Sequence, residues 1–319
     1  MNNGWTYYDR ITPATAGQTV LAYYTERYTH STQQAWQTRI EKGQILLDGQ
    51  PVTAGTRLST GQQLSYYRLP WQEPTAPLNF EVLYEDNHLW VIAKPSGLPV
   101  LPGGGFLEHT LLHQLRDRYH TETPIPIPSL GRGTSGAILI AKSQTARTHL
   151  SRQFRVRTIS PTSAIPSIQP PLTKIYRALV SSSQPVPKNH FTCTYPIGKL
   201  PHNQLGYIYG RVSENAPKAM PSRSDCAVIE RRSNATLIDV SIAPGSPHQI
   251  RIHLAAAGYP LLGDPLYPVG GVPSATGTVM PGDTGYHLHA HQLRFIHPHT
   301  GHPVSITANP PNILKIQSK

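Results

Sequence analysis

Three prolines within eight residues, Pro70, Pro74 and Pro77, constrain this chain more than any other feature. Each lacks an N–H donor and fixes its own φ. Each also restrains the residue before it. No helix or central strand can run through such a spacing, so 70–78 reads as a linker. It divides the 319 residues into a small leading domain, 1–73, and a large following one, 74–319.

In the leading part, Val20, Leu21, Tyr24 and Tyr28 fall on one helical face. Ser31 can cap a second helix, in which Trp36 and Ile40 stand four apart on the inner side. Gly43 ends that helix. Ile45, Leu47 and Val52 then alternate around Asp48-Gly49, a hairpin signal. In the larger part, Phe80–Tyr84 and Leu89–Ala93 are strand-like runs joined by Glu85-Asp86-Asn87. Helices are expected over Leu111–Tyr119 and Gln249–Ala257, and an apolar strand over Ala137–Ala141. Thr158–Thr173 is rich in Pro, Ser and Thr, has no periodicity and reads as a mobile insert.

Charge narrows the partner. Lys and Arg number 28 against 17 Asp and Glu, a net charge of +11. Such a surface suits a polyanion, because each cation near a phosphate releases a counterion. The two cysteines, Cys193 and Cys226, show neither metal-ligand spacing nor a disulfide pattern. No apolar run is long enough for a transmembrane helix, and no secretory signal is visible at Met1–Trp5. A reducing cytoplasmic setting and a monomeric protein without membrane association are expected.

Several blocks together resemble the RluA-type RNA pseudouridine synthases. They are Lys94-Pro95-Ser96-Gly97, Leu130–Lys142 with its Thr134-Ser135-Gly136, Lys174-Ile175-Tyr176-Arg177-Ala178, His248–His253, Gly263-Asp264-Pro265-Leu266-Tyr267 and Leu288-His289-Ala290. The leading part, in Arg39–Ile45 and Leu47-Asp48-Gly49, resembles an S4-like RNA-binding domain. The resemblance implies an α+β fold, with a small S4-like domain before a large, mainly antiparallel sheet flanked by helices. It implies isomerisation of uridine to pseudouridine in structured RNA, ribosomal or transfer, with no metal or organic cofactor. The target base leaves its stack first. Tyr176 then corresponds to the tyrosine that packs on the flipped base, and Arg251 to the arginine that pairs with an essential aspartate. Arg132, Thr134, Ser135, His248 and Gln249 fall on substrate-binding segments. Leu254 is expected to pack beneath the site, and His248 and Gln249 to cap their helix. Arg39, Lys42 and Arg251 are expected on a basic RNA-binding surface.

One departure bears on the chemistry. Where the family has His-Arg-Leu-Asp, this chain has Pro128-Ser129-Leu130-Gly131, so Gly131 stands at the position of the catalytic aspartate. Glycine can be neither nucleophile nor base. An empty space is therefore expected beside Gly131, with Arg251 solvated or paired to another acceptor. Asp264 and Asp86 both read as turn residues bonding nearby backbone. A catalytically inactive RNA-binding homologue is the alternative reading. His287, His289 and His291 share a strand face and could ligate a metal, but no carboxylate cluster accompanies them. Gly103-Gly104-Gly105 lacks the Lys-Ser/Thr of a phosphate loop and reads as a turn.

Overall fold

The computed structural model describes residues 1–119, 124–127, 130–155, 172–181, 186, 188–203, 205–242, 245–274 and 279–317. Pro128 and Ser129, and all but the last two residues of the 158–173 insert, lie outside the described residues. The chain forms two compact units, Met1–Glu73 and Pro74–Lys319.

The first unit runs β1 (Trp5–Arg10), α1 (Val20–Arg27), α2 (Gln33–Glu41), β2 (Ile45–Leu47), β3 (Gln50–Pro51) and β4 (Gln63–Arg68), with sheet order β1-β4-β2-β3. The side chain of Thr32, not Ser31, accepts from Ala35 N and caps α2. Ser31 instead accepts from Arg39 Nη1 at 2.9 Å. Asp48 and Gly49 both have positive φ, 50° and 80°, as the two-residue hairpin between β2 and β3 requires. Strand β1 has no counterpart in the sequence reading. Its residues are half-exposed or exposed and do not alternate apolar with polar, so only pairing with β4 makes it a strand. Trp36 centres the core, with Tyr24 and Tyr66 ring centroids 4.8 and 5.3 Å away. The Arg39 guanidinium lies 4.3 Å from the Trp36 ring, while Lys42 is exposed.

The second unit is built on β5 (Glu81–Glu85), β6 (Leu89–Lys94), α3 (Leu111–Arg118), β7 (Ile125–Ile127), β8 (Ser135–Ala141), α4 (Gln144–Arg155), β9 (Thr173–Ser181), β10 (His190–Cys193), β11 (Ile197–His202), β12 (Gly206–Arg211), β13 (Ser224–Arg231), β14 (Ala235–Ile242), α5 (Gln249–Ala256), β15 (Leu288–Ile296) and β16 (Pro303–Thr307). The main sheet follows the order β10-β13-β14-β9-β15-β8-β6-β5, with β7 on β8 and β16 on β15. Among the described strand pairs, β8 and β15 run parallel and the rest are antiparallel. Strand β8 is buried throughout and apolar from Ala137 to Ala141, as suits a strand with both faces covered. Ile138 and Ile140 pack with Leu111 and Leu115 of α3, while Leu139 and Ala141 pack with Ala146 and Leu150 of α4. These alternating contacts set the register of β8.

Helix α5 is buried on every side over Gln249–Ala255. Ile250 and Leu254 join the cluster that holds Tyr176, whereas Ile252 and Ala255 join Leu266 and Tyr267. A helix enclosed in this way cannot leave Arg251 in water. Its first turn therefore carries a buried cation that something must neutralise.

Candidate active site

Two strand registers bring the separate sequence blocks together. Ala290 of β15 pairs with Tyr176 of β9 on one side and with Gly136 of β8 on the other. The loop before β8, the start of β9, the start of α5 and the loop before β15 therefore meet. They enclose a cleft of about 420 Å³ lined by Gly131, Thr134, Lys174, Tyr176, Arg251 and Tyr286, among others. No Asp or Glu is among the described lining residues.

The loop carrying Gly131 is held from below by the Lys94–Gly97 block. Lys94, 1% exposed, donates to the carbonyls of Pro95, Leu98 and Arg132 at 2.9, 2.8 and 3.2 Å. Three acceptors use the three N–H bonds of an ammonium. Ser96 Oγ donates to Gly133 O at 2.7 Å, and Gly97 N to Arg132 O at 2.8 Å. Gly136 has φ +106°, and a Cβ there would lie 2.3 Å from Ala290 O. The glycine of Thr134-Ser135-Gly136 is thus set by close approach of two parallel backbones.

Arg251 is neither solvated nor on the surface: it is 3% exposed. Its Nε and Nη2 donate to Asp264 Oδ2 and Oδ1, each at 2.7 Å, and Nη1 donates to Pro281 O at 3.2 Å. Asp264 also accepts from the backbone N–H of Leu266 and Tyr267, as a turn residue does. Both its oxygens are occupied and its side chain is 1% exposed. It serves as the counter-charge of Arg251 and cannot also attack a substrate. The guanidinium stacks over Tyr286, 4.1 Å from the ring centroid, and lies 5.0 Å from that of Tyr267.

The space beside Gly131 is filled, contrary to expectation. A Cβ at Gly131 would lie 3.0 Å from Tyr286 Oη, and one at Gly133 2.8 Å from Tyr286 Cε1 and Cζ. Thr134 Oγ1 shares a hydrogen bond with Tyr286 Oη at 3.2 Å.

Of the other expected substrate contacts, His248 and Gln249 line the cleft, whereas Arg132 and Ser135 are engaged elsewhere. Arg132 Nε donates to Gly282 O at 2.7 Å and its guanidinium lies over Phe106, so it does not line the cleft. Ser135 lies on the sheet, bonded to His289 Nδ1 at 2.9 Å. His248 occupies the N-cap of α5 with a left-handed backbone but makes no side-chain cap. Its Nδ1 bonds Tyr267 Oη at 2.7 Å, and burial pulls its pKa down to about 4. Gln249 does close the helix start, accepting from Ser246 N, while its amide donates to Arg223 O and Ser224 Oγ. Tyr176 is 8% exposed, and burial pushes its pKa up to about 12. Leu254 is fully buried within the same cluster as Tyr176. His289 Nε2 and His291 Nδ1 both address Ala308 O, and no group of three metal-capable side chains occurs among the described residues.

Lys174, read only as part of the block around Tyr176, and Tyr286 were not singled out as site residues from the sequence. Lys174 sits two residues before Tyr176, on the same face of β9. It lines the cleft, lies 4.3 Å from the Phe154 ring centroid and donates to no described residue. Burial pulls its pKa down to about 7. Burial of the amine beside the cleft costs desolvation, so Lys174→Met is expected to raise the thermal midpoint. A midpoint that falls would show that the ammonium has an acceptor. Tyr286 carries no local motif. Its partners are the glycines at 131 and 133, more than 150 positions away.

Sequence comparison agrees with this geometry. A family model described as RNA pseudouridylate synthase matches residues 88–256. The chain is 46% identical over 301 residues to an uncharacterized RNA pseudouridine synthase of Synechocystis sp., covering 94% of this chain and 97% of the other. It is 38% identical over 355 residues to RNA pseudouridine synthase 5 of Arabidopsis thaliana, covering 99% and 95%. It is 29% identical to ribosomal large subunit pseudouridine synthase D of Neisseria meningitidis serogroup B, covering 92% and 75%. In fold it is similar to human RNA pseudouridylate synthase domain containing 1, with TM-score 0.52 at 21% identity over 77% of this chain and 94% of that one. With the matched segment spanning β6 to α5 and enclosing most of the cleft, the chain belongs to the RNA pseudouridylate synthase family.

Proposed function

We propose that this enzyme isomerises uridine to pseudouridine in structured RNA, with the base turned out of its stack and into the cleft beside Tyr176. The convergence of Tyr176, Arg251 and the loop of Gly131 on one cleft carries the reading. A cleft of about 420 Å³ has room for a single pyrimidine nucleotide. The relatives include a ribosomal large subunit enzyme, which favours ribosomal RNA as the substrate. The test is to incubate the purified protein with total RNA from a strain in which its gene is deleted, and then to map pseudouridine. A new site supports the enzyme. An unchanged map supports a second reading, an RNA-binding homologue without activity, which the lack of a carboxylate among the described residues of the cleft lining favours.

The first unit is proposed as an S4-like RNA-binding module that uses Arg39 and the exposed Lys42. The net charge of +11 supports an electrostatic mode of binding. With six or more phosphate contacts, affinity is expected to fall by about 10³-fold or more between 50 and 200 mM salt. A filter-binding titration at the two salt levels checks this, and equal affinities would sink it.

A further inference from the structure

We propose that the phenol of Tyr286 is the nucleophile that replaces the carboxylate missing at position 131, an inference that rests on the pseudouridine synthase reading above. The two positions compete for one place. A side chain at 131 would start 3.0 Å from Tyr286 Oη and 3.6 Å from Thr134 Oγ1. At Gly133 a Cβ would press on the ring itself, 2.8 Å from Cε1 and Cζ. Neither glycine has a positive φ, so neither is needed for a turn. What both provide is room. Gly131 and Gly133 form the seat of the Tyr286 ring, and that seat brings its hydroxyl to the place where an acid side chain would otherwise begin.

The surroundings suit a reacting oxygen. Tyr286 lines the cleft that holds Tyr176, yet is only 4% exposed, so little water competes for Oη. Thr134 Oγ1 holds Oη at 3.2 Å. The Arg251 guanidinium lies 4.1 Å from the ring centroid and is itself fixed by the paired Asp264. A positive charge is thus held over the ring that would carry the phenolate charge, and it needs no reorganisation during the reaction. Asp264, the carboxylate paired with Arg251, accepts four hydrogen bonds and is absent from the cleft lining. Tyrosine is chemically competent for the task, since sialidases use a tyrosine as the nucleophile at an anomeric carbon.

The steps balance without an added reagent. Tyr286 Oη attacks C1′ of the uridine, and the C1′–N1 bond breaks. Its electron pair goes to the uracil, which also takes the phenolic proton. The uracil rotates, its C5 attacks C1′, and the C1′–Oη bond breaks. The departing phenolate takes the proton released from C5. Tyrosine is restored, and the net change is an exchange of the C1′–N1 bond for a C1′–C5 bond.

The test uses the full chain, total RNA from the deletion strain to map the site, and a transcript spanning that site for rates and affinities. Tyr286→Phe keeps the ring, its seat and its stacking on Arg251 while removing Oη. Single-turnover pseudouridine formation is expected to fall by at least about a thousandfold, as for loss of a nucleophile. Transcript affinity and thermal midpoint should stay near those of the wild type. Removing Oη also frees the space at position 131, so the double variant Gly131→Asp/Tyr286→Phe is expected to recover part of the lost rate. A merely structural tyrosine would show no such recovery. Tyr286→Phe working within a few-fold of the wild-type rate would overturn the proposal while leaving the function intact. So would a double variant as inert as the single one. A wild-type protein that forms no pseudouridine would instead overturn the functional reading on which the proposal stands.

Discussion

Asp264→Ala is expected to lower the free energy of unfolding by about 3–5 kcal/mol, because it leaves a buried guanidinium without its counter-charge. Arg251 is 3% exposed and Asp264 1% exposed, joined by two bonds of 2.7 Å. Helix α5 is enclosed along its length, so Arg251 cannot swing into water. Its place in the first turn makes matters worse, since the helix dipole already disfavours a cation there. Urea unfolding of the variant against the wild type measures the loss. Asp264→Asn, which keeps an acceptor but not the charge, should fall between the two. Replacing both partners by apolar residues of similar volume should recover much of the stability, since no charge is then left buried. A loss below about 1 kcal/mol for Asp264→Ala, the level of an exposed ion pair, would show that the pair is open to solvent.

Gly136→Ala is expected to be comparably damaging, by a different route. The added Cβ would stand 2.3 Å from Ala290 O and 2.6 Å from Ala290 N, both backbone atoms of a paired strand. The φ of +106° is also unfavourable for any residue with a side chain. Overpacking in a well-filled interior costs about 1–3 kcal/mol, and the backbone strain adds about 1–3 more. The parallel β8–β15 pairing is the joint through which the Gly131 loop faces Tyr176, so activity should fall together with stability. Soluble yield, thermal midpoint and pseudouridine formation are the readouts. A variant that folds and works like the wild type would mean that the two strands can separate without consequence.

The architecture was readable because it rests on local, repeating signals. Proline spacing marked the linker, and Asp48-Gly49 marked a hairpin by its need for positive φ. The uninterrupted apolar run Ala137–Ala141 marked a strand covered on both faces. Family motifs then identified the stretches that converge on the cleft, and the matched family confirms the pseudouridine synthase fold. Strand β1 went unread because its partner supplies its order, and Ser31 was taken for a cap that the neighbouring Thr32 provides. The larger gaps concern charge and volume. Which carboxylate meets Arg251 depends on a turn thirteen residues further along, folded against α5. That Arg132 and Ser135 face away from the cleft follows from what the loop and strand pack against, which motif spacing does not record.

Residue identities alone determined that position 131 has no acid and that the rest of the motif frame survives. Whether this leaves a void was beyond them, since a missing side chain in sequence says nothing about what fills its volume. Tertiary structure decided that question: the loop before β15 delivers Tyr286 onto Gly131 and Gly133 and under Arg251. The physical reason is that close packing is a property of atoms brought together from distant parts of the chain, whereas a motif is a property of neighbours along it.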